Sequence, residues 1–169
     1  MNAVRHTRVH SGIRLDPEGR FWHDGEEVLH PAIARAWHRG LDRAPDGRYL
    51  IRFGDDWAFV TIDDAPVVVR RVLLAGDVVS LWLSNDDREP LRPETLNRSV
   101  EGVLYCRTRG DHRARFSRQA QADLGPVLAE ERGRFLVRAF GTCWPVGDDP
   151  GTPPPRPEDG PVPTDERPV

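Results

Sequence analysis

Short runs of alternating or continuous apolar positions recur through most of the chain, and each predicts a β-strand. Residues 48–53, 57–62, 67–74 and 78–83 are rich in Val, Leu, Ile and aromatic side chains with strand-like patterning. Gly54-Asp55-Asp56, Asp63-Asp64-Ala65-Pro66 and Ala75-Gly76-Asp77 separate them, and such brief polar breaks suit an antiparallel meander. Upstream, Asp16-Pro17-Glu18-Gly19 reads as a turn and residues 20–23 as a short strand, with Asp24-Gly25 as a tight hairpin turn into residues 26–28. The period then changes. Pro31 suits a first helical position, and Ile33, Trp37 and Leu41 recur every fourth residue until Pro45-Asp46-Gly47 ends the helix. In the second half, strands are predicted over residues 103–107, 114–116, 134–140 and 142–146. A second helix is expected to open near Ser117, its N-cap, with Ala120, Leu124 and Leu128 on the inner face and Gly125-Pro126 bending it. Trp37 and Trp144 are expected in the core.

The last elements echo the earlier ones. Gly47-Arg48-Tyr49-Leu50-Ile51-Arg52 matches Gly133-Arg134-Phe135-Leu136-Val137-Arg138, each copy following a helix and each followed by a tryptophan, Trp57 or Trp144. Amphipathic strands resemble one another by chance, but a duplicated helix-strand-strand unit also fits. The expected organisation is a flexible N-terminus over residues 1–12, one α+β domain over residues 13–147 and a tail over residues 148–169. The domain would hold pseudo-repeats at about 13–65 and 67–147, duplicated strand-helix-strand-strand units with a mostly antiparallel sheet and two main helices. Half of the 16 prolines fall in that tail, which has few large apolar side chains to offset the entropy of ordering, so it is expected to be disordered.

Composition narrows the chemistry. All 24 basic residues are Arg, so neither a lysine Schiff base nor a phosphate-loop lysine is available. A net charge of -3 and a pI near 6.1 argue against a nucleic-acid partner. The mean hydropathy of -0.57 argues against a membrane partner. Residues 1–10 hold no signal-peptide core, and Cys106 and Cys143 read as buried free thiols of a reducing compartment, so a cytoplasmic location is expected.

The order of several motifs resembles a known family. Asp16 to His23, Gly25, the helix beginning at Pro31, Asp46-Gly47-Arg48-Tyr49 and Asp63-Asp64-Ala65-Pro66 are followed by Ser84-Asn85-Asp86-Asp87 and Pro90-Leu91-Arg92. Ala114 to Arg118 and Phe140 to Pro145 complete the series. In that order they resemble the bacterial domain-of-unknown-function family 1285 across residues 13–147. The resemblance implies an α+β fold of repeated strand-helix-strand motifs and a binding or signalling role rather than catalysis.

No catalytic signature stands out. There is no Gly-x-Ser-x-Gly elbow, His-Glu-x-x-His helix, Cys-x-x-Cys pair or glycine-rich phosphate loop, so no catalytic residue, cofactor or metal site is assigned. His23, His30 and His38 are too spread for one ion, and surface or capping roles are expected for them. Asp63 and Asp64 are the best acid pair, with turn or strand-end capping as their commoner use. Arg107, Arg109, Arg113, Arg115 and Arg118 form the most basic stretch, suited either to a solvated strand edge or to an anion.

The expected function is a non-enzymatic sensor or interaction module for a small anionic metabolite or a partner protein, with a homodimer as one form of partner. Trp57, Asp64, Arg115 and Arg118 are the expected ligand residues, at a seam between the repeats. The alternative is a small hydrolase-like enzyme using Asp63 or Asp64 with His23.

Overall fold

The computed structural model describes residues 7–162. Residues 1–6 of the expected flexible N-terminus and 163–169 of the expected tail lie outside the described residues. Within them the fold is mixed, with two α-helices and strands in antiparallel and mixed sheets. By internal packing the chain divides into two compact units, one up to Pro66 together with the residues from Pro153 onward, the other Val67–Thr152.

The first unit contains β1 (Ile13–Leu15), β2 (Phe21–His23), β3 (Glu26–Glu27), α1 (Pro31–Gly40), β4 (Leu41–Arg43), β5 (Tyr49–Phe53) and β6 (Asp56–Ile62). They form one sheet in the order β3-β2-β1-β6-β5-β4. Asp24 and Gly25 both take positive φ, which supplies the mirror-image turn that a two-residue hairpin requires between β2 and β3. Pro31 opens α1 as expected, but the helix ends at Gly40 and Leu41 begins β4. A Cβ at Gly40 would lie 2.6 Å from the carbonyl oxygen of Arg52, so only glycine lets the helix end come this close to β5. Ile33 is exposed and Trp37 half-buried, packed edge-on against Phe21 and Phe53. The fully buried residue of α1 is His38, not the surface or capping histidine expected, and its Nε2 lies 3.0 Å from the carbonyl of Gly19.

Alternation along β5 and β6 buries both faces of this sheet. Tyr49, Ile51, Val60 and Ile62 pack with Leu15 and Phe21 on one side. Leu50, Trp57 and Phe59 pack with Val9 and Ala44 on the other. That second face is covered by segments expected to be loose. In the N-terminal arm, the carbonyl of Arg8 accepts from the Phe59 amide at 2.7 Å, and the Ser11 hydroxyl donates to the Phe59 carbonyl at 2.6 Å. The proline-rich segment also departs from the expected disorder up to Val162, since Pro157 is buried and the Arg48 guanidinium donates to the carbonyls of Pro157 and Pro161. Carbonyl acceptors on a buried arginine replace the apolar side chains this segment lacks.

The second unit contains β7 (Val67–Ala75), β8 (Val78–Leu83), β9 (Arg88–Pro90), β10 (Asn97–Arg98), β11 (Leu104–Arg107), β12 (Arg113–Phe116) and α2 (Arg118–Leu124). After these come β13 (Leu128–Glu131), β14 (Arg134–Ala139), β15 (Thr142–Pro145) and β16 (Gly147–Asp148). Two sheets result, ordered β16-β10-β11-β12-β7-β8-β9 and β13-β14-β15, around one apolar cluster that includes Val69, Leu81, Phe116, Leu124 and Val137. Ser117 caps α2 as expected, its hydroxyl accepting from the Ala120 amide at 3.0 Å. Ala120 and Leu124 are buried, whereas Leu128 has passed into β13.

The four strands expected as one meander divide at the Asp63–Pro66 bend. β6 pairs in parallel with β1, and β7 in parallel with β12. Trp144 is half-buried, and Cys143 is exposed rather than buried because it lies on the outer face of β15. Locally, α1–β4–β5–β6 and α2–β13–β14–β15 share the order of a helix and a three-stranded antiparallel meander.

Candidate ligand-binding site

Trp57 enters near the start of β6, opposite Arg52 of β5, and is only 2% exposed. Phe59 meets its ring edge-on with centroids 5.4 Å apart, and the Arg8 guanidinium lies 4.7 Å from the ring centroid. An indole offers a donor and no acceptor. Its Nε1 is buried here with no hydrogen-bond partner among the described residues, an arrangement that costs on the order of 1–3 kcal/mol. The same residue forms part of the wall of a cavity of about 400 Å³, together with Thr7, Arg8, Ser11, His23 and Ala58. Arg8 also reaches Asp56 at 3.7 Å across the rim, a long contact to an exposed carboxylate.

The other expected site residues fall elsewhere. Asp64 is half-buried in the bend after β6, seven residues beyond Trp57, so a strand rise of roughly 3.3 Å per residue separates the two by about 20 Å. The structure does not bring them together. Arg115 stands in β12 opposite Tyr105 of β11, and its Nη1 lies 3.5 Å from the Tyr105 hydroxyl. Arg118 is exposed at the first position of α2, a helix of only seven residues. For the hydrolase alternative, His23 pairs across from Ile13 at one end of β1, whereas the Asp63 amide bonds to Leu15 at the other. Asp63 itself is ion-paired with Arg14, and His23 lies 3.8 Å from Asp24.

The acids with displaced titration serve the framework. Asp16 accepts from the Glu18 and Arg20 amides, the Arg20 guanidinium and the Trp22 indole. Burial alone would raise its pKa, but these bonds outweigh burial and hold it below the ordinary carboxylate value. Asp46 is lowered by the Arg48 side chain. Asp123 is brought down to about 2, first by the Arg71 guanidinium, then by Gln119 and the Val72 amide. Burial pushes the Cys106 thiol up to about 12, which removes it as a nucleophile at neutral pH.

The second unit has a cavity of about 460 Å³ whose wall includes Asn85, Asp87, Glu89, Arg109 and His112. Three of its polar side chains bond to groups of the wall itself. The Glu89 carboxylate accepts from the Arg109 amide at 2.8 Å, and Asn85 donates to Asp87 at 2.8 Å. Among the described residues no cluster of His, Cys, Asp and Glu could hold a metal, and no helix is long and apolar enough to cross a membrane.

Local pattern singled out Trp57 but not Arg8 or Ser11, whose segment has too few apolar residues to signal order. Arg48 was visible only as part of a strand, because its partners lie in the proline-rich segment.

No protein-family model matches the chain, and no curated protein matches it. Two solved structures are similar. A DUF1285 family protein from Silicibacter pomeroyi DSS-3 superimposes with a TM-score of 0.66 at 20% identity, over 81% of this chain and 80% of that one. A DUF1285 family protein from Shewanella baltica OS155 gives a TM-score of 0.56 at 12% identity, over 70% of this chain and 93% of that one. At these identities the likeness is one of fold, and the chain carries a DUF1285-like domain.

Proposed function

We propose that the protein is a non-enzymatic binding module for a small anionic ligand, received in the cavity that Trp57 helps to line. One observation carries this reading. The Trp57 indole N–H is buried with no acceptor among the described residues, and a carboxylate or phosphate oxygen would supply one. The Arg8 guanidinium over the same ring supports the anionic class, since arginine recognises such groups through charge-assisted bonds. The common helix–meander order of the two segments supports reading them as copies of one unit, of which the first has acquired the cavity.

Thermal-shift measurements with inorganic phosphate and succinate test this, using the wild type and Trp57→Phe, which keeps an aromatic ring and removes the N–H. Stabilisation of the wild type that is lost in Trp57→Phe is the expected result. Equal stabilisation of both proteins, or of neither, would overturn it. Loss in an Arg115→Ala, Arg118→Ala double variant instead would move the ligand to those arginines.

A partner protein is a second reading, favoured by the outer face of β7, β8 and β9, where Leu73 is 69% and Trp82 45% exposed. A second copy is one such partner. Sedimentation that is unchanged with concentration, and identical for Leu73→Asp, would remove the self-associating form of this reading.

A further inference from the structure

Arg48 is 4% exposed, and its side chain is engaged on every nitrogen. Its Nε donates to Asp46 at 2.8 Å, its Nη1 to the Pro157 carbonyl at 2.8 Å and its Nη2 to the Pro161 carbonyl at 3.1 Å. The guanidinium carbon also lies 4.1 Å from the centroid of the Phe59 ring. Asp46 on one side and Phe59 beneath therefore fix the plane of the fork before any peptide is considered. We propose that this cradle is a recognition site for a proline-rich segment that carries a single 3-10 turn, and that residues 155–161 occupy it as a built-in, releasable ligand.

The chemistry of the bound segment is that of peptide recognition rather than core packing. Arg156 has φ -76 and ψ 159, a polyproline II conformation, and Pro157–Asp159 follow as one 3-10 turn in which the Arg156 carbonyl accepts from the Asp159 amide at 3.0 Å. The carbonyls of Pro157 and Pro161, four residues apart, are left to meet the two ends of one guanidinium. Gly47 has φ +89, a backbone conformation that favours glycine, and it lies under the Pro155 ring, which a Cβ there would meet in ordinary contact at 3.6 Å. Gly160 is required for a different reason. Its φ of -126 suits any residue, but a Cβ would come within 2.5 Å of the Arg48 guanidinium, which Asp46 and Phe59 hold in place. The site thus selects a proline-rich segment with a glycine immediately before its second acceptor, the pattern of Pro157-Glu158-Asp159-Gly160-Pro161. A segment held mainly by two carbonyl bonds and a few proline contacts opens far more readily than a strand.

The test uses the full chain and a fluorescently labelled peptide of residues 153–162. Gly160→Val displaces the chain's own segment and leaves Arg48, Asp46 and Phe59 intact. Fluorescence anisotropy is expected to show the peptide binding Gly160→Val at least about tenfold more tightly than the wild type, where the internal segment competes. The same peptide carrying Gly160→Val is expected not to bind. Equal binding by wild type and variant, no binding by the variant, or binding of both peptides alike would each overturn the proposal. Hydrogen exchange on the wild type gives a reading independent of any variant. The amides of Glu158, Asp159 and Gly160 are expected to exchange at least about 100-fold faster than those of Leu50 and Phe59. Exchange at the same rate would make the segment an integral part of the unit and sink the idea of a releasable ligand.

Discussion

The meander of β4, β5 and β6 and the meander of β13, β14 and β15 have the same order and similar sequences, yet they are buried differently. In the first, Tyr49, Leu50 and Ile51 are buried in succession, so β5 is covered on both faces. In the second, Val137 and Ala139 alternate with the exposed Arg138, so β14 is covered on one. The tryptophans follow suit, with Trp57 enclosed between Phe59 and Arg8, and Trp144 half-buried with its Nε1 donating to the Ala139 carbonyl at 3.2 Å. A strand pattern of similar hydrophobicity thus acquires a second buried face only when other chain segments supply it. In the first unit the arm at residues 7–11 and the segment at residues 155–161 do so, and the unpartnered indole N–H arises where that covering is polar.

Replacing each tryptophan by alanine is the sharpest way to break this comparison. Trp57→Ala is expected to cost about 3 to 5 kcal/mol in urea unfolding, as for a large core aromatic. Trp144→Ala is expected to cost about 1 kcal/mol, as for a half-buried site. Equal losses would show that the second meander is as enclosed as the first.

A smaller effect separates the units by pH. The Asp123 carboxyl titrates near 2 rather than its ordinary 3.8 because Arg71 and the Val72 amide bind its charged form. A carboxyl with a lowered pKa contributes stability that is complete above the unfolded value and disappears as pH falls through the folded one. The wild type is therefore expected to lose stability between about pH 4 and pH 2. Asp123→Asn should lose less over that interval, while the slope due to Asp16 in the first unit remains. Parallel pH profiles for the two proteins would contradict the assignment.

The smallest expected effect is at Arg118. It is exposed and bears no ion pair among those described, so Arg118→Ala is expected to change stability by less than about 0.5 kcal/mol. A larger loss would mean that the start of α2 depends on this arginine.

How much of this was legible in the sequence depended on the range of the interaction. The Asp24-Gly25 hairpin, Pro31 at the start of α1, the Ser117 cap and most strand positions follow from residues within one turn of each other. The parallel pairings of β1 with β6 and of β12 with β7 do not, since each joins strands far apart in sequence. His38 read as a surface residue because its partner is the carbonyl of Gly19, in another turn. The segment after Thr152 read as disordered because it has little to bury, and composition does not register that Pro157 and Pro161 present carbonyls to an arginine elsewhere. Of the candidate site, Trp57 was legible as a strand-end aromatic. Arg8 and Ser11 were not, because their order derives from backbone bonds to Phe59.

The bond from Arg48 to Pro157 spans 109 residues of sequence, and all of the second unit is encoded between them. During translation at about 5–20 residues per second, Arg48 leaves the ribosome roughly 5 to 20 s before its acceptor exists. Over that interval the fork above Phe59 has only Asp46 and water to satisfy it. The second unit has its whole sequence once Thr152 is made, so the order of completion reverses the order of synthesis. Whatever the first unit meets in those seconds encounters an open cradle that the mature chain keeps filled.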